Sequence, residues 1–146
     1  MAEKTFAIAL TIPDNEAFTA RETLRRIGIA VEDVRRSDIW TFTVDDANAA
    51  GLRSTIETIE TIFNPNKHQL EERAGARPQR GEVWIEPREE TRMSSVGGRT
   101  IAGVHAIRRR TAWRLVDADG NDVPVTELDR AVETFLCNPA FQKAIR

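Results

Sequence analysis

A single cysteine, Cys137, and only two histidines, His68 and His105, occur in 146 residues. One cysteine excludes an internal disulfide, and the three side chains make no cluster at zinc spacing, so no metal site is expected. The expected compartment is the reducing cytosol. Long apolar runs are also missing: the longest, Phe6 to Leu10, has five residues, where a membrane helix needs about 20. No segment resembles a signal peptide. Excess charge of one sign is absent too, the net charge being −2. A general nucleic-acid binder is normally more basic, so nucleic acid is not an expected partner.

Catalytic patterns are equally scarce. Gly97-Gly98-Arg99-Thr100 is glycine-rich but matches neither phosphate-binding spacing, G-x-x-x-x-G-K or G-x-G-x-x-G. His105 stands where the matching position of the first half has Glu32, which reads as a surface position, because a catalytic base needs a positioned partner. The expectation is a chain that is not an enzyme, with no catalytic residue and no cofactor.

What the sequence does contain is an echo of itself. Val31 to Trp40 (VEDVRRSDIW) returns as Val104 to Trp113 (VHAIRRRTAW), 73 residues on. Sliding residues 1–73 over 74–146 without gaps gives thirteen identities, among them Val31/Val104, Arg35/Arg108, Arg36/Arg109 and Trp40/Trp113. Ordinary composition gives roughly four or five. The reading is an internal duplication with domains 1–73 and 74–146. The first half carries 9 basic and 13 acidic residues, the second 12 and 10, and opposite signs suit halves that pack together.

Along the chain, Thr5 to Ile12 alternates Phe6, Ile8, Leu10 and Ile12 with small or polar residues, the period of a strand. Asp14 or Asn15 can cap a helix over 15–27 whose Ala17, Ala20, Leu24 and Ile27 face inward and which Gly28 ends. Residues 30–36 and 39–44 read as a hairpin around Ser37-Asp38. Asp45 or Asp46 opens a second helix with the stripe Leu52, Ile56, Ile59 and Phe63, ended by Asn64-Pro65. Lys67 to Arg73 is an edge strand or a helical turn, and 74–81 is a linker.

The second half repeats the plan with less regularity. Glu82 to Glu86 is its first strand. Residues 87–98 suggest a short helix or a mobile loop, and 104–109 with 111–116 a second hairpin. Thr126 with Asp129 resembles a capping box for a helix that turns Leu128, Val132, Phe135 and Leu136 inward. Asn138-Pro139 can start a last short helix through Phe141 to Ile145, although 139–145, like 66–73, fits a strand as well.

A β-α-β-β-α unit with two amphipathic helices packs them on one face of an antiparallel sheet, so the fold class is α+β with two tandem ferredoxin-like repeats related by a pseudo-twofold. The other sheet face is then expected to be uncovered and to seek a partner, either the second repeat or another chain.

The run from Gly28 to Arg35, with Val31-Glu32-Asp33-Val34-Arg35 before a strand, and the helix ending at Phe63-Asn64-Pro65 give a resemblance. Over about half of residues 1–73 the chain resembles the small S subunit of bacterial phosphoribosylformylglycinamidine synthase. That family usually has Gly-Lys where this chain has Ser37-Asp38, and a final strand where it has Lys67-His68-Gln69. The resemblance implies a ferredoxin-like, non-catalytic subunit of purine synthesis that self-associates through its sheet faces and bridges synthase and glutaminase subunits. An alternative is a regulatory domain of the ACT type, which binds small molecules between paired copies of the same β-α-β-β-α-β plan.

Arg35, Arg36, Arg108, Arg109 and Arg110 are the candidate ligand- or partner-binding residues, since an arginine pair recurs at one place in both copies. Edge-strand charges that discourage aggregation are the plainer reading of the same residues. Trp40 and Trp113, at equivalent positions, are expected in a core or between repeats.

Overall fold

The computed structural model describes residues 1–89 and 93–146. The chain opens with strand β1 (Ala2–Leu10) and helix α1 (Asn15–Arg26). Asp14 caps α1 by accepting from the amides of Glu16 and Ala17. At the other end Gly28, at φ 92°, lets its own amide reach the Arg25 carbonyl and that of Ile29 reach Leu24, the paired bonds of a left-handed helix stop. Ala17, Ala20 and Leu24 are buried as their spacing predicts. Ile27 lies past the end of the helix and is exposed.

The next strand corrects the sequence reading. Residues 33–44 form one strand, β2 (Asp33–Val44), and the matching segment forms β7 (Val104–Val116). Neither turns back. A two-residue hairpin needs positive φ at its centre; among the described residues no non-glycine residue has it, and no glycine lies within either strand.

Helix α2 (Asp46–Ala49) and helix α3 (Leu52–Ile56) replace the continuous second helix, and turns carry the chain to Ile62. Gly51 interrupts it, and the β-branched Thr55, Ile56, Thr58, Ile59, Thr61 and Ile62 disfavour helix. The buried stripe is therefore Leu52, Ile56, Ile59 and Ile62, with Phe63 only partly buried.

Strands β3 (His68–Arg73) and β8 (Gln142–Ile145) follow the two Asn-Pro pairs, so the last helix expected over 141–145 is a strand. Between them come β4 (Glu82–Pro87) and a small hairpin, β5 (Ser95–Val96) with β6 (Arg99–Thr100). Its loop is Gly97-Gly98, both at positive φ, as such a turn demands. This replaces the helix or mobile loop expected over 87–98; the part of that expectation on residues 90–92 lies outside the described residues. Helix α4 (Val125–Ala131) continues as a π-helical turn over Val132–Leu136. No side chain caps α4, so Thr126 and Asp129 do not form the capping box. Phe135 is 42% exposed rather than inward.

The result is α+β, with few helices and a mostly antiparallel sheet in the order β3-β1-β2-β7-β4-β8, consistent with the ferredoxin-like class. Two compact units form, and their bounds are not 1–73 and 74–146. One comprises Met1–Ile12, Ser37–Ala76 and the described part of Glu90–Arg110; the other comprises Pro13–Arg36, Arg77–Glu89 and Thr111–Arg146. In the first unit β1 pairs with β2 and β3. Phe6, Ile8, Trp40, Phe42 and Val44 pack there with the α3 stripe and with Val96, Ile101 and Ile107 from the second half of the chain. In the second unit β4 pairs with β7 and β8. Val83, Ile85, Leu115, Leu128, Val132 and Leu136 pack with Ala17, Ala20, Leu24 and Val34 from the first half. Each core thus draws on both halves of the chain.

On the side away from the core clusters, Thr5, Ala7, Ile39 and Thr41 of the first unit and Glu82, Trp84 and Glu86 of the second are all buried.

Candidate functional site

The second unit holds an open groove of about 410 Å³ between α1 and the π-helical turn. Asn15, Glu16, Thr19 and Ala20 line it from α1, Trp113 from β7, and Phe135 and Leu136 from the turn. Residues at i, i+1, i+4 and i+5 share one side of a helix, so the first two turns of α1 make one wall. The opposite wall owes its shape to the wider turn, in which the Cys137 amide reaches back five residues to the Val132 carbonyl at 3.3 Å. Such π turns recur at functional sites. Trp113 is held from below through the pairing of its backbone with Val83.

Charge gathers beside this groove. The Asp14 carboxylate, besides capping α1, accepts from Arg36 Nε at 3.2 Å and Nη2 at 3.5 Å. Arg36 Nη1 lies 3.4 Å from Glu16 Oε2, and the Glu16 side chain is 72% exposed. Arg36 is thus held by two carboxylates, and the one on the groove is the more solvated.

The five candidate arginines are placed differently from one another. Arg35 is exposed and pairs with Asp33, while Arg36 is largely covered. Arg109 pairs with Asp38 at 3.1 Å and lies over the Trp40 ring, 5.1 Å from its centre. Arg110 is buried, with Nη1 donating to Thr41 Oγ1 at 3.4 Å. Arg108 is half-buried. β2 and β7 both have neighbours on two sides, but the β1–β2 register runs only from Asp38 to Val44 and the β4–β7 register only from Thr111 to Arg114, so neither ladder reaches these arginines. Alternation separates the side chains: successive residues point to opposite faces of a strand.

His105 is exposed and meets Asp45 at 2.7 Å, which occupies the carboxylate expected to cap α2. Trp40 is buried; Trp113 is only partly so. Gly97-Gly98 forms the β5-β6 turn. Among the described residues no group of histidines, cysteines or acids could hold a metal ion, and no helix is long and apolar enough to cross a membrane.

Sequence reasoning missed the groove and the buried acids. Glu82, Trp84 and Glu86 stand two apart on β4 and all are buried. Glu82 Oε1 accepts from Trp84 Nε1 at 2.6 Å and from the Gln79 amide at 3.2 Å, while Lys143 reaches Glu86 at 3.1 Å. The strict E-x-W-x-E alternation was the available signal. No protein-family model matches the chain, and no curated protein matches it at a significant level.

Proposed function

We propose that the protein is a non-catalytic interaction module of the cytoplasm, a tandem relative of the small S subunit of phosphoribosylformylglycinamidine synthase that docks an enzyme subunit. The observation that carries this is the groove, whose Trp113, Phe135 and Leu136 are anchoring rather than reactive side chains. Docking runs through the α1 side, where the groove opens.

Duplication is part of the proposal. In the first unit β1 lies between β2 and β3, and in the second β4 lies between β7 and β8. The chain enters β3 and β8 by the same turn. Asn64 Oδ1 accepts from the Asn66 amide and Asn138 Oδ1 from Ala140, while the amides of Asn64 and Asn138 donate to the side chains of His68 and Gln142.

Sedimentation velocity of the full chain with purified synthase and glutaminase subunits tests this reading. Co-sedimentation that Phe135→Asp abolishes is the expected result; free sedimentation at tens of micromolar, alone and in mixtures, rejects it. The groove's volume favours a second reading, a regulatory domain of the ACT type, because about 300–1,000 Å³ is the size of small-molecule sites. A thermal-shift screen detects this, since a ligand at about 100 times its dissociation constant adds about 2.7 kcal/mol.

A further inference from the structure

We infer that the groove of the second unit takes a small amphipathic cation, an aromatic or aliphatic body carrying one ammonium group. The inference rests on the small-molecule reading of that groove and names its ligand class. The body is matched by Trp113, Ala20, Phe135 and Leu136, which offer apolar surface in a space of about 410 Å³. The charge is matched at the mouth. Two carboxylates, Asp14 and Glu16, share one guanidinium, Arg36. Asp14 holds it through two contacts and is itself covered, whereas Glu16 has one contact at 3.4 Å and lines the groove. Glu16 therefore has acceptor capacity to spare. An anion would meet the Glu16 carboxylate, and a neutral body would gain nothing from it.

The electrostatic share is modest, because Glu16 is solvated. An exposed pair contributes about 0.5–1 kcal/mol, or about two- to fivefold in affinity. Apolar contact supplies the rest and is common to all ligands of the same shape.

The test titrates the full chain with 2-phenylethylamine, 2-phenylethanol and 3-phenylpropionate, reading the Trp113 indole N–H resonance. Glu16→Gln and Phe135→Ala report on the mouth and on the wall, and Glu22→Gln is the control on the same helix. The expected order is amine tightest, then alcohol, then acid, with the amine ahead of the alcohol by about two- to fivefold at low salt and by less at 0.5 M salt. Glu16→Gln should erase that preference and leave the alcohol unchanged; Phe135→Ala should weaken all three. Equal binding of the three ligands, or a preference that survives Glu16→Gln, overturns the cation while leaving the groove. No saturable shift with any of them overturns both.

Discussion

Trp84 Nε1 donates to Glu82 Oε1 at 2.6 Å, two residues away on the same face of β4, and both side chains are buried. A carboxylate taken from water needs its acceptors filled, and here the indole and the Gln79 amide fill two. Replacing Trp84 with Phe keeps most of the volume but removes a donor from a buried acid. We expect a loss of about 2–3 kcal/mol in urea denaturation. Trp84→Phe combined with Glu82→Leu should recover part of it, and a double variant weaker than either single one would show that Glu82 is held by other means.

The other two tryptophans should separate in cost. Trp40 is 3% exposed and stacks on Phe42, so Trp40→Ala should cost about 3–5 kcal/mol. Trp113 borders the groove and is only partly buried, so its truncation should cost clearly less. Trp40 Nε1 has no acceptor among the described residues. Trp40→Phe, which loses no hydrogen bond, should therefore be milder than Trp84→Phe; the reverse ranking by chemical denaturation would refute the comparison.

Each core needs both halves of the chain. Residues 1–73 lack Val96, Ile101 and Ile107, and residues 74–146 lack Ala17, Ala20, Leu24 and Val34. Either fragment alone should show no cooperative thermal transition, and an equimolar mixture should regain one. A fragment that melts sharply by itself would contradict the shared cores.

Periodicity made α1 legible to within a residue, since its cap, its buried Ala17, Ala20 and Leu24 and its Gly28 stop are all local signals. It failed where a signal was local but the outcome was not. Val34, Trp40, Phe42 and Val44 alternate in one phase, yet Val34 serves one core and the other three the second. Ser37 and Asp38, between Val34 and Trp40, read as a turn because both are polar. The missing glycine at Ser37-Asp38 was the better guide. The groove was invisible because it depends on the π turn, and no residue pattern distinguishes that turn from α-helix.

His68 Nδ1 accepts from the Asn64 amide at 2.9 Å, which requires a neutral ring. Gln142 plays the same part for Asn138. His68→Gln should then be close to neutral, whereas His68→Ala should cost about 1 kcal/mol by leaving the amide without its partner. Equal melting temperatures for the two variants would show that the contact contributes nothing.

Arg36 and Arg35 are neighbours in sequence with different surroundings, and this gives the sharpest contrast. Arg35 is exposed beside Asp33, a pair of the kind that contributes little. Arg36 and Asp14 are both only 16% exposed at their side chains, and Asp14 also caps α1. Arg36→Ala should cost about 1 kcal/mol more than Arg35→Ala. Asp14→Ala should cost more still, because the cap is lost with the ion pair; caps alone contribute about 1 kcal/mol. In a double-mutant cycle the two residues should couple by about 0.5–1 kcal/mol. A coupling near zero would mean that Asp14 acts through its cap alone.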